Sequence, residues 1–202
     1  MEQVRKLLTK GEVSMARLPY ISRDELPSDK HHIYDRIAET RSSVESQAGL
    51  PRSFQVLLNA PDAAEVVGRL GEYLRFNTTL DPTIRETAII ATAKELNSQY
   101  EWTHHEPIAR KVGVRDEVIK AILSGRAPMG IPPREGVFVQ AAKELVRNGT
   151  LTEATFQGVL HLLGPQQTVE LLVLIGYYAM LGTVLGALGV ELEPGLDPIL
   201  PE

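Results

Sequence analysis

The residues able to do acid–base chemistry are concentrated in one stretch, RETAIIATAKELNSQYEWTHHEPIARKVG, which begins at Arg85. It contains Glu86, Glu101, Trp102, His104, His105 and Glu106, in a chain with five histidines and one tryptophan. Ser98, Glu101 and His105 are spaced i, i+3 and i+7, which puts them on one stripe of a helix. Glu101 and His105 can then touch. A carboxylate beside an imidazole raises its pKa and fixes its tautomer, and proton transfer depends on both. Glu86 and His105 would lie ~28 Å apart on one unbroken helix, at about 1.5 Å per residue. They can cooperate only if the chain turns between them, and Asn97–Ser98 is where the sequence permits a break and restart. The plainer alternative is an ordinary Glu–His pair at i, i+4, with Trp102 as core.

The elements that must position these residues read as helices. Asp81 followed by Pro82 marks a helix start, an N-cap and then a proline at the first helical position. That helix runs to about Leu96, and a second carries Glu101 to Lys111 and stops at Gly113. His32 to Ser43 reads as one helix. Asp62 is the expected cap of another, in which Val66, Val67, Leu70, Tyr73 and Leu74 recur at helical spacing. Asp116–Leu123 ends at Gly125, and a linker at 127–133 with three prolines leads to a helix over Arg134–Asn148, closed by Gly149. Thr152 caps Glu153–Leu163, Gly164 ends it, and Gln166–Leu188 is long and apolar. No stretch alternates with period two, so no sheet is expected. The fold class is all-α, a helical bundle. Residues 1–30 form an arm, 31–190 the helical domain and 191–202 an irregular tail. The segments 62–111 and 135–188 each place a Glu early in their second helix, Glu86 and Glu170, which raises the possibility of a duplicated helix–loop–helix unit.

Composition narrows the function. The chain has 202 residues, 43% hydrophobic and 5% aromatic, with a net charge of −5 and a pI near 5.6. No basic run or patch appears, so no nucleic-acid partner is expected. There are no cysteines. That rules out disulfides, thiolate metal sites and cysteine nucleophiles, and it is compatible with a reducing cytoplasm, the expected location. The start, MEQVRKLLTKGEV, lacks the apolar core of a signal peptide. Leu171–Leu188 is apolar enough to raise a membrane question. Nothing flanks it like a stop-transfer signal, and a helix buried in a protein core is the expected reading.

The spacing of Glu86, Ser98, Glu101 and His105 resembles the core motif of the carboxymuconolactone decarboxylase superfamily, which includes the alkylhydroperoxidase D branch. That branch carries Glu, eleven residues, Cys, two residues, Cys, three residues, His. Every spacing is kept here, with Ser98 and Glu101 in place of the two cysteines. The likeness covers about residues 50–125, and YEWTHHEPIA is its most specific run. RLPY near the start, YLRF at 73–76 and IGYYAML at 175–181 match longer family members more loosely. The resemblance implies an all-α bundle of the alkylhydroperoxidase D-like type, assembled as a homo-oligomer, a trimer or hexamer, with a dimer as the alternative.

Without a thiol there is neither sulfenic acid nor disulfide, so the branch's thiol peroxidase cycle is excluded. What remains is a Glu/Glu/His proton-transfer set, which suits the decarboxylase side of the family. The implied reaction is cofactor-free loss of CO2 from a small carboxylated lactone or related acid, with no metal. His105 is assigned as general acid/base, Glu101 as the residue that orients it, and Glu86 as a second proton carrier. Arg75, or less favourably Arg85, is the candidate carboxylate anchor. Ser98, Trp102, His104 and Tyr177 complete the expected substrate-binding set, and Tyr178 is a further candidate lining residue. Three rivals stay open: another cofactor-free lyase, isomerase or hydratase; a metal site built from Glu101, His104 or His105, Glu86 and one of His31 and His32; and a non-catalytic oligomeric binding protein on the same scaffold.

Overall fold

The computed structural model describes residues 16–41, 49–125 and 130–201. Among these every regular element is helical and no strand occurs. The helices are α1 (His31–Arg41), α2 (Arg52–Leu57), α3 (Pro61–Glu72), α4 (Pro82–Glu95), α5 (Gln99–Val112), α6 (Asp116–Leu123), α7 (Pro133–Asn148) and α8 (Glu153–Leu188). A widened π turn, Tyr73–Asn77, follows α3 directly.

α4 is the central element. Asp81 accepts the Thr83 amide at 2.8 Å, and Pro82 takes the first helical position, as the sequence predicts. Every residue from Glu86 to Ala93 is buried, so α4 has no solvent face and packs against α5, α7 and α8. Its small residues, Ala88, Ala91 and Ala93, allow that close approach, while Ile89 and Ile90 fill the core with Trp102 and Leu174. The break falls where expected. Asn97 adopts a left-handed φ of 51°, and the Ser98 hydroxyl caps α5 by accepting the Glu101 amide at 3.5 Å. Asn tolerates that conformation because its short polar side chain bonds locally. The reversal folds α5 back along α4 and brings the two halves of the sequence motif face to face.

α8 bends at Gly164, whose φ of 70° and ψ of 176° are non-helical. Beyond the bend, Leu171, Leu174, Ile175, Tyr177, Tyr178, Leu181 and Leu185 face inward. The apolar run is long enough to span a bilayer by composition, and 44% of its most apolar window is buried inside this fold. The inner side of α8 packs on α4, α5 and α7.

A second layer covers the site. α1 and α2 pack on α3 through Ile33, Ile37, Phe54, Leu58 and Ala64. α2 does not stand out in the sequence: six residues behind Pro51 are too few to show a period. The described part of the arm lies across the bundle, with the Arg17 amide on the Leu188 carbonyl at 2.7 Å and the Ile21 amide on the Gln55 carbonyl at 3.0 Å. The tail is irregular, and Arg52 fastens it by donating from its amide to Glu193 and from Nη1 to the Leu192 carbonyl.

Two local expectations are corrected. α3 is not capped by Asp62. Its N-cap is Ala60, because Pro61, with no N–H to satisfy, takes the first helical position, and Asp62 pairs with Lys30. Glu170, the possible counterpart of Glu86, serves packing. It accepts the Tyr73 hydroxyl at 3.0 Å, the Thr79 amide at 3.0 Å and the Thr79 hydroxyl at 2.9 Å, which fastens the π turn to α8. That turn carries Arg75 inward, 7% exposed, while Tyr73 and Phe76 stay at the surface.

Candidate active site

The α4–α5 reversal places His105 Nδ1 2.8 Å from Glu86 Oε2. Glu86 is 1% exposed and His105 4%. A carboxylate only accepts, so Nδ1 carries the proton and donates it. Glu101 Oε2 lies 3.8 Å from Nε2 on the other side of the ring, too far for a hydrogen bond. The partner that fixes the ring is therefore Glu86, where the sequence spacing pointed to Glu101. Pairing at i, i+4 is the nearest contact a sequence can show, and the contact across the helix reversal is the shorter one. Glu101 faces the nitrogen left free for chemistry. Tyr178 meets the imidazole edge-on, ring centres 5.0 Å apart, and Tyr177 stands edge-on to Tyr178.

Burial sets the protonation states. It lowers the His105 pKa below 6.5, with Glu86 opposing and the Arg75 charge assisting, so the imidazole is neutral. For Glu86, burial acts upward, but the contact with His105 and the charges of Arg85 and Arg75 outweigh it and hold the carboxyl below its usual range. Arg85 Nε is 3.3 Å from Glu86 Oε1 and stabilises that charge whether or not His105 is protonated. The resting pair is a carboxylate and a neutral imidazole with Nε2 unprotonated. Burial pushes the Tyr177 hydroxyl up to about 12, with Arg41 pulling the other way, and it drives Tyr178 well above 10. Both phenols are protonated at neutral pH.

His105, Glu101, Arg75, His104, Tyr177 and Tyr178 line one small cavity, about 30 Å³, with Arg41, Ser53 and Phe54 contributed by the covering layer. Such a volume holds roughly two water molecules. Of the residues expected from sequence, Glu101, His105, Arg75, His104 and Tyr177 line this space, and Glu86 backs it through His105.

Two others do not line it. Ser98 caps α5 and packs against Gly182, on a different surface groove. Trp102 is 1% exposed in the main core. His104 lines the cavity but is committed elsewhere: Nδ1 contacts the Tyr100 carbonyl at 2.8 Å, and Nε2 lies 2.8 Å from Glu193 Oε2 in the tail. The Glu193 carboxyl is held at about 2. Burial raises it, but hydrogen bonds from His104 and Tyr100 prevail.

Sequence reasoning missed Arg41. It ends α1, far from the motif, and no local pattern marks a surface arginine as one that turns inward. Among the described residues no group of three His, Asp or Glu side chains is arranged to hold a metal ion. Of the two α1 histidines, His31 contacts the Leu26 carbonyl at 3.1 Å.

With this geometry in place, comparisons with known proteins show the fold and a family likeness over part of the chain. A crystal structure of an alkylhydroperoxidase D core, an uncharacterized peroxidase-related protein from Ralstonia eutropha JMP134, superimposes with a TM-score of 0.72 at 18% identity, over 92% of this chain and 96% of that one. The debrominase Bmp8, in complex with 2,3,4-tribromopyrrole, superimposes with a TM-score of 0.68 at 14% identity, over 84% and 90%. The fold is thus the alkylhydroperoxidase D-like helical bundle. Residues 61–144, the segment that holds Arg75, Glu86, Glu101 and His105, match the model of the carboxymuconolactone decarboxylase family. No curated protein matches the sequence.

The buried neutral imidazole has a consequence for stability. Unfolded His105 takes up a proton near pH 6.5, which the folded form refuses, so this residue removes stability as pH falls through that value. Glu86 acts lower. Its depressed pKa gives stability above 4.5 that is lost as pH drops further. Urea unfolding of the wild type at pH 7.5 and 5.5 should therefore show a loss that is smaller in His105→Gln. An equal loss in both proteins would contradict the assigned state.

Proposed function

We propose that the protein is a cofactor-free carbon–carbon lyase that decarboxylates a small carboxylated lactone or related acid in the cytoplasm. The observation that carries this reading is the buried Glu86–His105 hydrogen bond, which leaves His105 Nε2 unprotonated beside Glu101 in a cavity that also holds the Arg75 guanidinium. Decarboxylation breaks the bond between carbon and carboxylate and leaves an electron pair on the substrate. That pair delocalises into the conjugated lactone carbonyl. One proton, taken up from water, must then reach carbon. His105 Nε2 is the carrier, Glu101 is the group with which it exchanges that proton, and Glu86 fixes the tautomer and supports the imidazolium formed in passing. Arg75 anchors an acidic group. Water exclusion strengthens each of these charges.

A carboxylated lactone is larger than a cavity of about 30 Å³, so the α1–α2 layer over it must shift outward to admit the substrate, with Arg41 still facing it. Metal-free wild-type protein should release CO2 from 4-carboxymuconolactone, with loss of the substrate's ultraviolet absorbance. His105→Ala should be inactive, and Glu101→Gln slower by roughly a hundredfold or more, the usual contribution of a positioned acid–base group. Full activity in His105→Ala would overturn the mechanism. No turnover by any of the three would overturn the substrate.

We also propose a homo-oligomer. α3 exposes Val66 and Leu70, and α8 exposes Val169, Val173 and Met180, side chains a second copy would cover. Light scattering across a hundredfold dilution series should report more than one chain. A monomer throughout would contradict it.

A further inference from the structure

The charges in the cavity are arranged the opposite way from those at the surface. Outside, Arg23, Arg36, Arg110, Arg115 and Arg147 each pair with a carboxylate. Inside, where an unpaired charge is costly, two guanidiniums have no carboxylate within ion-pair distance among the described residues. Arg41 is 5% exposed, and its Nε and Nη2 are buried without any hydrogen-bond partner. Arg75 is 7% exposed and makes no hydrogen bond or ion pair among the described residues. Arg41 lies over Phe54 at 4.7 Å and beside the Tyr177 hydroxyl, and Arg75 lies over Phe76 at 5.3 Å; such contacts position a cation without neutralising it. Both line the His105 cavity.

The fold makes room for the first of them. A Cβ at Gly71 would lie 2.8 Å from Arg41 Nη2 and 2.2 Å from the Tyr177 hydroxyl, so glycine is needed for the guanidinium to reach inward. Among the described residues neither cation has a free acid to take. Glu86 is already held by His105 and Arg85, and Glu101 faces His105 Nε2. The two are also ordered along the cavity. The charge of Arg75 reaches His105, Glu86 and both tyrosines, whereas that of Arg41 is felt at Tyr177 and not at the His105–Glu86 pair.

We propose that Arg41 is a second anion anchor in this cavity, so that the ligand carries two acidic groups, a proximal one at Arg75 beside His105 and a distal one at Arg41. The inference rests on this cavity being the substrate site. Arg41 comes from α1, outside the 61–144 family segment, so the second anchor belongs to the covering layer. The ligand completes the pairing that the protein leaves open.

The test is binding, so it stands apart from turnover. Calorimetric titration should show succinate binding wild type about tenfold or more tighter than butyrate, the worth of one further charge-assisted contact. Arg41→Met should erase that preference while keeping butyrate affinity within about threefold, and Arg75→Met should weaken both. Wild type that fails to prefer succinate, or that binds neither anion, would overturn the proposal, as would Arg41→Met that retains the preference. Thermal denaturation without ligand separates a binding role from a structural one. Removing an unpaired buried charge should leave the Tm of Arg41→Met equal or higher, and a lower Tm would mark Arg41 as a packing residue and contradict the assignment. Failure of the decarboxylase assay with the succinate preference intact would remove the reaction and leave the anion site.

Discussion

A single hydrogen bond between consecutive helices, His105 Nδ1 to Glu86 Oε2 at 2.8 Å, organises the rest of the site. A carboxylate buried as deeply as Glu86 is sustained only by directed donors, because burial alone would drive it neutral. The chain supplies two, the imidazole and Arg85, and the helix reversal at Asn97–Ser98 brings the imidazole into place. Much of α4 follows from this constraint. It is buried on every face, its alanines let α5 approach, and its capped start at Asp81 sets the register that points Glu86 at α5. The bond also decides the tautomer. With the proton on Nδ1, Nε2 keeps its lone pair toward the cavity, and Glu101 stands within reach of it.

The same stretch in the alkylhydroperoxidase D branch resembles this one with cysteines where Ser98 and Glu101 stand. Here Ser98 is an N-cap and Glu101 a carboxylate facing His105 Nε2. No thiol stands at either position, and the helix reversal sets the Glu86–His105 pair beside Glu101. Backbone geometry holds these residues in place: a left-handed turn residue, a capped helix start and a glycine stop.

Much of this was legible in the sequence, because it depends on local signals. The Asp81–Pro82 start, the Asn97–Ser98 break, the glycines after α5, α6 and α7 and the bend at Gly164 are all set by neighbouring residues. The Glu86, Glu101 and His105 constellation was legible through its spacing. What was not legible depends on distance through space. Glu101 seemed the natural partner of His105 because it is four residues away, yet the nearer carboxylate is nineteen residues back across a turn. Ser98 shares the helical stripe but sits at its capped end, so it packs against Gly182 and misses the cavity. Trp102 is core, and Glu170 fastens a turn. Arg41 was invisible, since only the docking of α1 over α3, and the space at Gly71, turn that side chain inward.

The central claim is the state of one imidazole, which nitrogen-15 NMR of histidine-labelled protein reads directly, with His105→Gln to assign the signal. At pH 7 the account predicts a neutral His105 ring with its proton on Nδ1 and an unprotonated Nε2. A doubly protonated ring, or a neutral one with its proton on Nε2, would contradict it.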